Sequence, residues 1–276
     1  EMPLRRQRFH YDWHWFYEWG NGDMGNQGIH QMDVARWFIG EDAIAPRSMS
    51  IGARLGYDDD GETPNTQIVY HDYESAPLIF ETRGLPASKE FHEEGWAQNM
   101  NEPEEFPGES GVSVVVVCEG GAVFASAGGG IKIKDAEGKD MEKLEPVQTE
   151  DIFSNFITAV KSRKMEDLYA DCEETHLSSA LCHTGMISHR LGELLSDGEI
   201  KERIQADAVL SERYGAMAEH LGANGVDLKE KNLVFGPMLK FNPETEWAEG
   251  NGELDAPANV LATRVYREPY VVPEVL

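Results

Sequence analysis

No stretch of about 18 consecutive apolar residues occurs anywhere in the 276-residue chain, so no segment reads as a membrane-spanning helix. Cysteine is scarce: Cys118, Cys172 and Cys182 are the only three, with no C-x-x-C pair. That count argues against a disulfide scaffold and against a structural zinc site, and leaves buried free thiols as the expectation. Basic residues are also few, 24 against 50 acidic ones, for a net charge of -26. Such a surface repels phosphate backbones and anionic headgroups, so neither nucleic acid nor membrane is an expected partner. The first eight residues lack an apolar stretch and do not begin with Met, so they are no intact signal peptide, and the chain is expected to be cut from something longer. Its compartment, cytoplasmic or periplasmic, stays open. No internal repeat is visible.

What the chain does have is hydrophobic content of 41%, enough for a core, and a concentration of chemistry near its start. Three of the six tryptophans, Trp13, Trp15 and Trp19, lie within seven residues. Tryptophan faces stack on the C-H faces of sugars and similar rings, while indole and imidazole N-H groups bond hydroxyls. The alternative for these rings is core packing. A glycine-punctuated turn follows, and then a segment of helical spacing in which His30, Asp33, Val34 and Trp37 fall at i, i+3, i+4 and i+7 on one face. His30 and Asp33 are then expected to hydrogen-bond, the acid fixing the imidazole tautomer and raising its basicity for proton abstraction from a hydroxyl. The plainer reading is a pair that ties this helix to a neighbour.

Two motifs nearby fail on inspection. Gly20-Asn21-Gly22-Asp23-Met24-Gly25 spells G-x-G-x-x-G, but no buried strand precedes it, and Asp23 puts a carboxylate where a pyrophosphate would approach. Asp58-Asp59-Asp60 suggests a calcium loop, but Gly56 stands where the first ligand belongs, and a solvated turn at Asp60-Gly61 suits the residues better.

Farther along, strand character appears at Arg47 to Leu55, Thr66 to Tyr73, Ala76 to Arg83, Gly111 to Glu119, Ala122 to Ala127 and Ile131 to Lys134. Short links such as Glu74-Ser75 and Gly120-Gly121 make hairpins, hence an antiparallel sheet. Gly128-Gly129-Gly130 reads as a turn, and 84–110 as a long polar loop carrying Pro86, Pro103 and Pro107. Helices are expected at Glu150 to Lys164, whose acidic start and basic end suit the helix dipole, and at Asp171 to Leu195. In the second, His176 and His183 lie too far apart to share one metal. The tail adds a short helix near Glu212 to Leu221 and extended pieces from Asn232 onward.

Arg8-Phe9-His10-Tyr11-Asp12-Trp13-His14-Trp15, followed by Gly25-Asn26-Gln27-Gly28-Ile29-His30-Gln31-Met32-Asp33-Val34-Ala35-Arg36-Trp37, resembles the start of the second domain of the Gfo/Idh/MocA oxidoreductases. Asn155-Phe156-Ile157 through Arg163, His176-Leu177-Ser178-Ser179-Ala180-Leu181-Cys182-His183 and Tyr266-Arg267-Glu268-Pro269-Tyr270 resemble later segments of that domain. The resemblance implies one α+β domain over residues 1–276, comprising the aromatic segment 9–40 and a helical and extended part 150–276. Its core would be a large open, mostly antiparallel sheet with helices on one face, of the dihydrodipicolinate reductase-like kind, serving substrate binding and homo-oligomerisation.

It further implies hydride transfer between a sugar, cyclitol or related hydroxyl compound and NAD or NADP. The catalytic pair would be His30 and Asp33, with Tyr11, Trp13, His14, Trp15 and Asn26 as substrate contacts and no metal ligand. The family commonly carries an acid four positions before the histidine; here that position is Asn26. The family's nucleotide-binding Rossmann domain and its lysine have no counterpart in these residues, so neither NAD nor NADP is expected to bind this chain tightly. Two alternatives accompany this reading: glycoside cleavage through bound NAD, and a non-catalytic carbohydrate-binding or assembly domain.

Overall fold

The computed structural model describes residues 9–56, 58–93, 102–103, 105–141, 147 and 149–272. Residues 94–101 and 104 of the expected 84–110 loop therefore lie outside the described residues, as do the first eight residues and Pro273.

A single helical turn, α1 (Phe9–Asp12), precedes the aromatic run, and α2 (Ile29–Ile39) follows it. Next come β1 (Arg47–Ala53), β2 (Thr66–His71) and β3 (Leu78–Arg83), then β4 (Ser113–Cys118), β5 (Gly121–Ser126) and β6 (Ile131–Asp135). Helices α3 (Ile152–Ser162) and α4 (Cys172–Arg190) lead to β7 (Glu193–Leu195), α5 (Asp197–Ile204) and α6 (Ala208–Ala223). The chain finishes with β8 (Leu233–Phe235), β9 (Leu239–Lys240) and α7 (Asp255–Ala262). This is the expected α+β class. All strand pairs are antiparallel, in the order β3-β2-β1-β8-β7 with β9 also beside β1.

Two features of the expected sheet need correcting. Helices cover both of its faces, not one. Met49 and Ile51 of β1, opposite Tyr70 and Ile68 of β2, join Ile200, Ile204, Leu210, Tyr214 and Met217 of α5 and α6 in one apolar cluster. On the other face Val69 of β2 and Phe80 of β3 pack with Met32 of α2 and Leu181, Cys182 and Met186 of α4. Side chains alternate along a strand, so a strand buried throughout, as β2 is, requires a layer on each side. The second correction concerns β4, β5 and β6, which form a separate three-stranded meander. Only part of it is buried: Val114 and Phe124 are covered, with the Phe124 ring 5.5 Å from that of Phe106, while Val117 is exposed.

Helix α4 lies close on the sheet because Gly185 faces Val69, where an added Cβ would come within 2.6 Å of Cγ1. The Ser188 hydroxyl bridges two elements, accepting from the Ser50 N-H at 3.1 Å and donating to the Pro237 carbonyl at 2.8 Å. This helix ends at Arg190, short of the expected Leu195, because 193–195 turn away to pair with β8. Helix α5 carries a reciprocal Ser196/Glu199 capping box that the reading of the tail did not anticipate. Of the three cysteines only Cys182 is buried; Cys118 at the end of the meander hairpin and Cys172 at the start of α4 are exposed, against expectation.

Three buried histidines make the fold acid-sensitive. Burial pushes His71 down to about 3 and His189 to about 4. His220 also falls to about 4, through burial and then the Arg83 charge. The unfolded chain takes up these protons near pH 6.5 and the native one does not, so stability is full above that pH and falls as pH drops toward 4. Each histidine contributes up to about 1.4 kcal/mol per pH unit in that window. Denaturant melts at pH 7.5 and 4.5 should show this loss, and an unchanged midpoint would contradict it.

Candidate functional site

The aromatic run folds on itself. The Trp13–Trp15 turn places the His14 ring 3.9 Å from that of Trp15, 5.1 Å from Tyr11 and 5.5 Å from Trp13. Tyr11 and Trp13 present 52% and 43% of their surface to solvent, whereas His14 keeps only 6%. Gly20 closes against the His14 backbone, where a Cβ would stand 2.7 Å from Cα. The run is pinned to the loop between β1 and β2: the Trp15 carbonyl accepts from the N-H groups of Glu62 and Thr63 at 2.9 and 3.2 Å, and the Glu62 carboxylate accepts from the Tyr17 N-H at 3.1 Å. Arg54 completes the anchor, with its guanidinium 5.9 Å from the Trp15 ring centroid. The same group donates two 2.6 Å bonds to Asp59 and one of 3.1 Å to the Thr63 carbonyl. The acidic stretch 58–60 thus serves an arginine from its central residue.

The Gly20 to Gly25 string follows no strand; it enters a π-helical turn, Met24–Gly28, that runs directly into α2. Met24 fills the core, and Gly28 lies against Phe80, where a Cβ would come within 2.6 Å of Cζ. With those two positions turned inward, Asn26 and His30 are exposed, one turn apart, and neither side chain has a hydrogen-bond partner among the described residues.

The expected His30–Asp33 hydrogen bond is absent. Asp33 Oδ1 instead accepts from Arg36 Nη2 at 3.1 Å and from the Ser178 hydroxyl at 2.6 Å. Arg36 is 2% exposed and also donates to Glu174 at 2.5 Å and to the Glu41 carbonyl at 2.8 Å. A buried guanidinium needs its charge balanced far more than a solvated imidazole needs an orienting partner, so the carboxylate turns to the arginine. Asp33 is a structural tie between α2 and α4.

The carboxylate that sequence reasoning passed over is Asp23. It is half-buried and makes no hydrogen bond to any described residue; burial pushes it up to about 6, against the opposing pull of Arg54. Beside it, Gly22 adopts φ 66° and crowds Thr63, whose buried hydroxyl has no partner. His14 Nε2 is likewise buried without a partner, and burial lowers its pKa. The one sequence signal for Asp23 was its place inside the glycine string.

No family model and no curated protein matches the chain. Among solved structures it is similar to an oxidoreductase from Agrobacterium radiobacter in complex with NAD+, L-tartaric acid and magnesium. That likeness has 14% identity and a TM-score of 0.40, over 64% of this chain and 49% of the other. A candidate oxidoreductase from Erwinia carotovora atroseptica is similar at 14% identity and TM-score 0.40, over 65% of this chain and 51% of its own. The chain thus spans about half the length of these proteins. At these values the likeness carries no functional argument, and the fold class rests on the sheet and helices themselves.

Asp23 makes a testable claim about stability. The fold favours its neutral form, so Asp23 costs stability as pH rises from about 4 through about 6. Discounted for partial solvent screening, Asp23→Asn should stabilise the protein by on the order of 1 kcal/mol at pH 7.5 and leave it unchanged near pH 3.5. Wild type and Asp23→Asn melting at the same temperature at pH 7.5 would show that Asp23 is not desolvated.

Proposed function

We propose that the chain is the substrate-binding part of an NAD(P)-dependent oxidoreductase acting on a sugar, cyclitol or related CH-OH compound. The observation that carries this is the pairing of Asn26 and His30 on consecutive turns, both exposed and both without a hydrogen-bond partner among the described residues. Polar groups left free on an otherwise committed helix are available to a ligand. His30 takes the hydroxyl proton, and the Asn26 amide orients that hydroxyl without accepting the proton. Tyr11 and Trp13 offer ring faces for stacking. The Gly20–Gly25 turn does not fit a dinucleotide, since it lacks a preceding strand and carries the Asp23 carboxylate. Those residues therefore offer a nucleotide no cradle.

In the complete protein, assayed with NAD+ or NADP+ and a polyol, His30→Ala should lower kcat by about 10²- to 10⁴-fold while KM changes little. Asp33→Asn should act through stability, because it uncouples Arg36. Near-full kcat in His30→Ala would overturn the assignment. Carbohydrate binding without turnover under any nucleotide would support the non-catalytic alternative, which the exposed rings of Tyr11 and Trp13 and the lack of a carboxylate on His30 favour.

Self-association belongs to the same reading, and α3 is its most suitable surface. Ile152, Phe153, Phe156, Ile157 and Val160 share one side of this helix and are between 41% and 76% exposed. An 11-residue helix is marginal in water without tertiary cover. Glu150 stands at its start and Lys161, Arg163 and Lys164 at its end, so an antiparallel pair of α3 helices from two copies joins opposite charges as well as apolar faces. Sedimentation of the wild type should show dimers that Phe153→Glu with Phe156→Glu removes. A wild-type monomer at all concentrations would refute the pairing.

A further inference from the structure

We infer that the recess beside α3 is a socket for the first turn of α3 from a second copy of this chain, occupied by the Phe153 side chain of that copy, with Arg163 and Glu150 meeting at its rim. The inference deepens the self-association reading above and rests on it, adding the register of the pair and the place where each copy grips the other.

The recess is built locally. Asn155, the buried residue of α3, donates from its amide to the Asp167 carbonyl at 2.7 Å and accepts the Tyr169 N-H at 3.0 Å. These two bonds fold residues 165–169 back along the helix, and the turn Met165–Asp167 becomes the principal packing partner of α3 among the described residues. Between helix and turn lies an open recess of about 320 Å³, walled by Phe156, Ala159, Val160, Met165 and Leu168, with Arg163 and Lys164 toward the end of the helix. A cavity of about 150 Å³ suffices for a benzene-sized ring, so a phenylalanine side chain has room here.

Three observations select a second α3 as the occupant. Phe153, at the opposite end of the helix from the recess rim, is 76% exposed and needs cover of its own. Arg163 and Lys164 make no ion pair with any described residue, in a chain that carries 50 acids to 24 bases. Arg163 also holds φ 59°, the left-handed conformation in which helices usually end on glycine, and strain of this kind collects at functional positions. An antiparallel pair whose two-fold axis passes between Phe156 and Ile157 answers all three. It sets Phe153 of one copy beside Val160 of the other, on the wall of the recess, and Glu150 beside Arg163, and symmetry repeats both contacts. Sliding one helix by four residues sets Phe153 against Lys164 in one direction and moves Glu150 onto Ala159 in the other. Only the first register both seats the ring and pairs the charges. A small anionic amphiphile would meet Arg163 and Lys164 but leave Ile152 and Phe153 uncovered.

The test is sedimentation and cysteine cross-linking of the chain, in a Cys118→Ser, Cys172→Ser background that removes the two exposed thiols. The background protein should dimerise. Arg163→Glu and Glu150→Arg should each weaken the dimer by roughly tenfold, because two like-charge contacts replace two opposite ones, and the double variant should recover most of the loss. Ala159→Phe, which fills the recess while keeping the face apolar, should weaken it as much. Under mild oxidation, Glu150→Cys mixed with Arg163→Cys should form a cross-linked dimer that neither variant forms alone. If the dimer forms but the double charge variant fails to recover and the mixture cross-links no better than its components, the socket falls, and the broader pairing through α3 stands on its loss in Phe153→Glu with Phe156→Glu. If the background protein stays monomeric at all concentrations, both fall.

Discussion

A single buried guanidinium sets the geometry on which everything near the site depends. Arg36 projects from α2 into the contact with α4, and its charge is balanced by Asp33 on its own helix and Glu174 on the other, with the Glu41 carbonyl as a further acceptor. The two terminal nitrogens carry these bonds while Nε has no partner among the described residues, and removing a partner from a buried pair typically costs about 3–5 kcal/mol. The clamp fixes the rotation of α2 about its axis. With Met32 and Arg36 turned inward, one turn apart, His30 is turned outward by the same geometry.

Beneath that clamp the sheet accepts helices on both faces by dividing its residues by parity. Met49 and Ile51 serve the α5 and α6 side, and Ser48 and Ser50 the α4 side. The α4 side is more polar: the Ser48 hydroxyl meets His71 Nδ1 at 2.8 Å, and Gln67 donates to the Ser50 hydroxyl at 2.8 Å. Those two bonds lock β1 to β2, while the Ser50 N-H bond to Ser188 ties the sheet to one register of α4, since a shift of the helix would strand it. Gly185 against Val69 enforces the same register sterically.

The sequence made α2 legible, along with the first three strands and the meander, because each is a local pattern: a 3.6-residue stripe, or a run of strand-forming residues closed by a short link. It did not show that 193–195 and 233–235 extend the sheet, because strands of three residues carry no periodicity and their partners lie about forty residues away. Nor did it decide the fate of Asp33. His30 and Arg36 are both three residues from it and equally reachable, so spacing alone cannot choose between them. Burial chooses, and burial of Arg36 depends on Glu174, 138 residues distant. The apolar residues of α3 recur at helical spacing, yet periodicity says only that a face wants cover. The burial of Asp23 was hidden for another reason: Arg54, which acts on it, and Thr63, which packs on the adjacent Gly22, come from distant parts of the chain.

The overall charge adds a constraint of its own on what such a site can take. With a net charge of -26, the surface lowers the local concentration of anions, and the arginine nearest to Asp23 is already paired with Asp59. An anionic substrate would have to overcome the field of the whole molecule and then meet a carboxylate. The surface charge and the part-buried Asp23 carboxylate thus act in the same direction, both disfavouring an anion at the turn that carries Gly22.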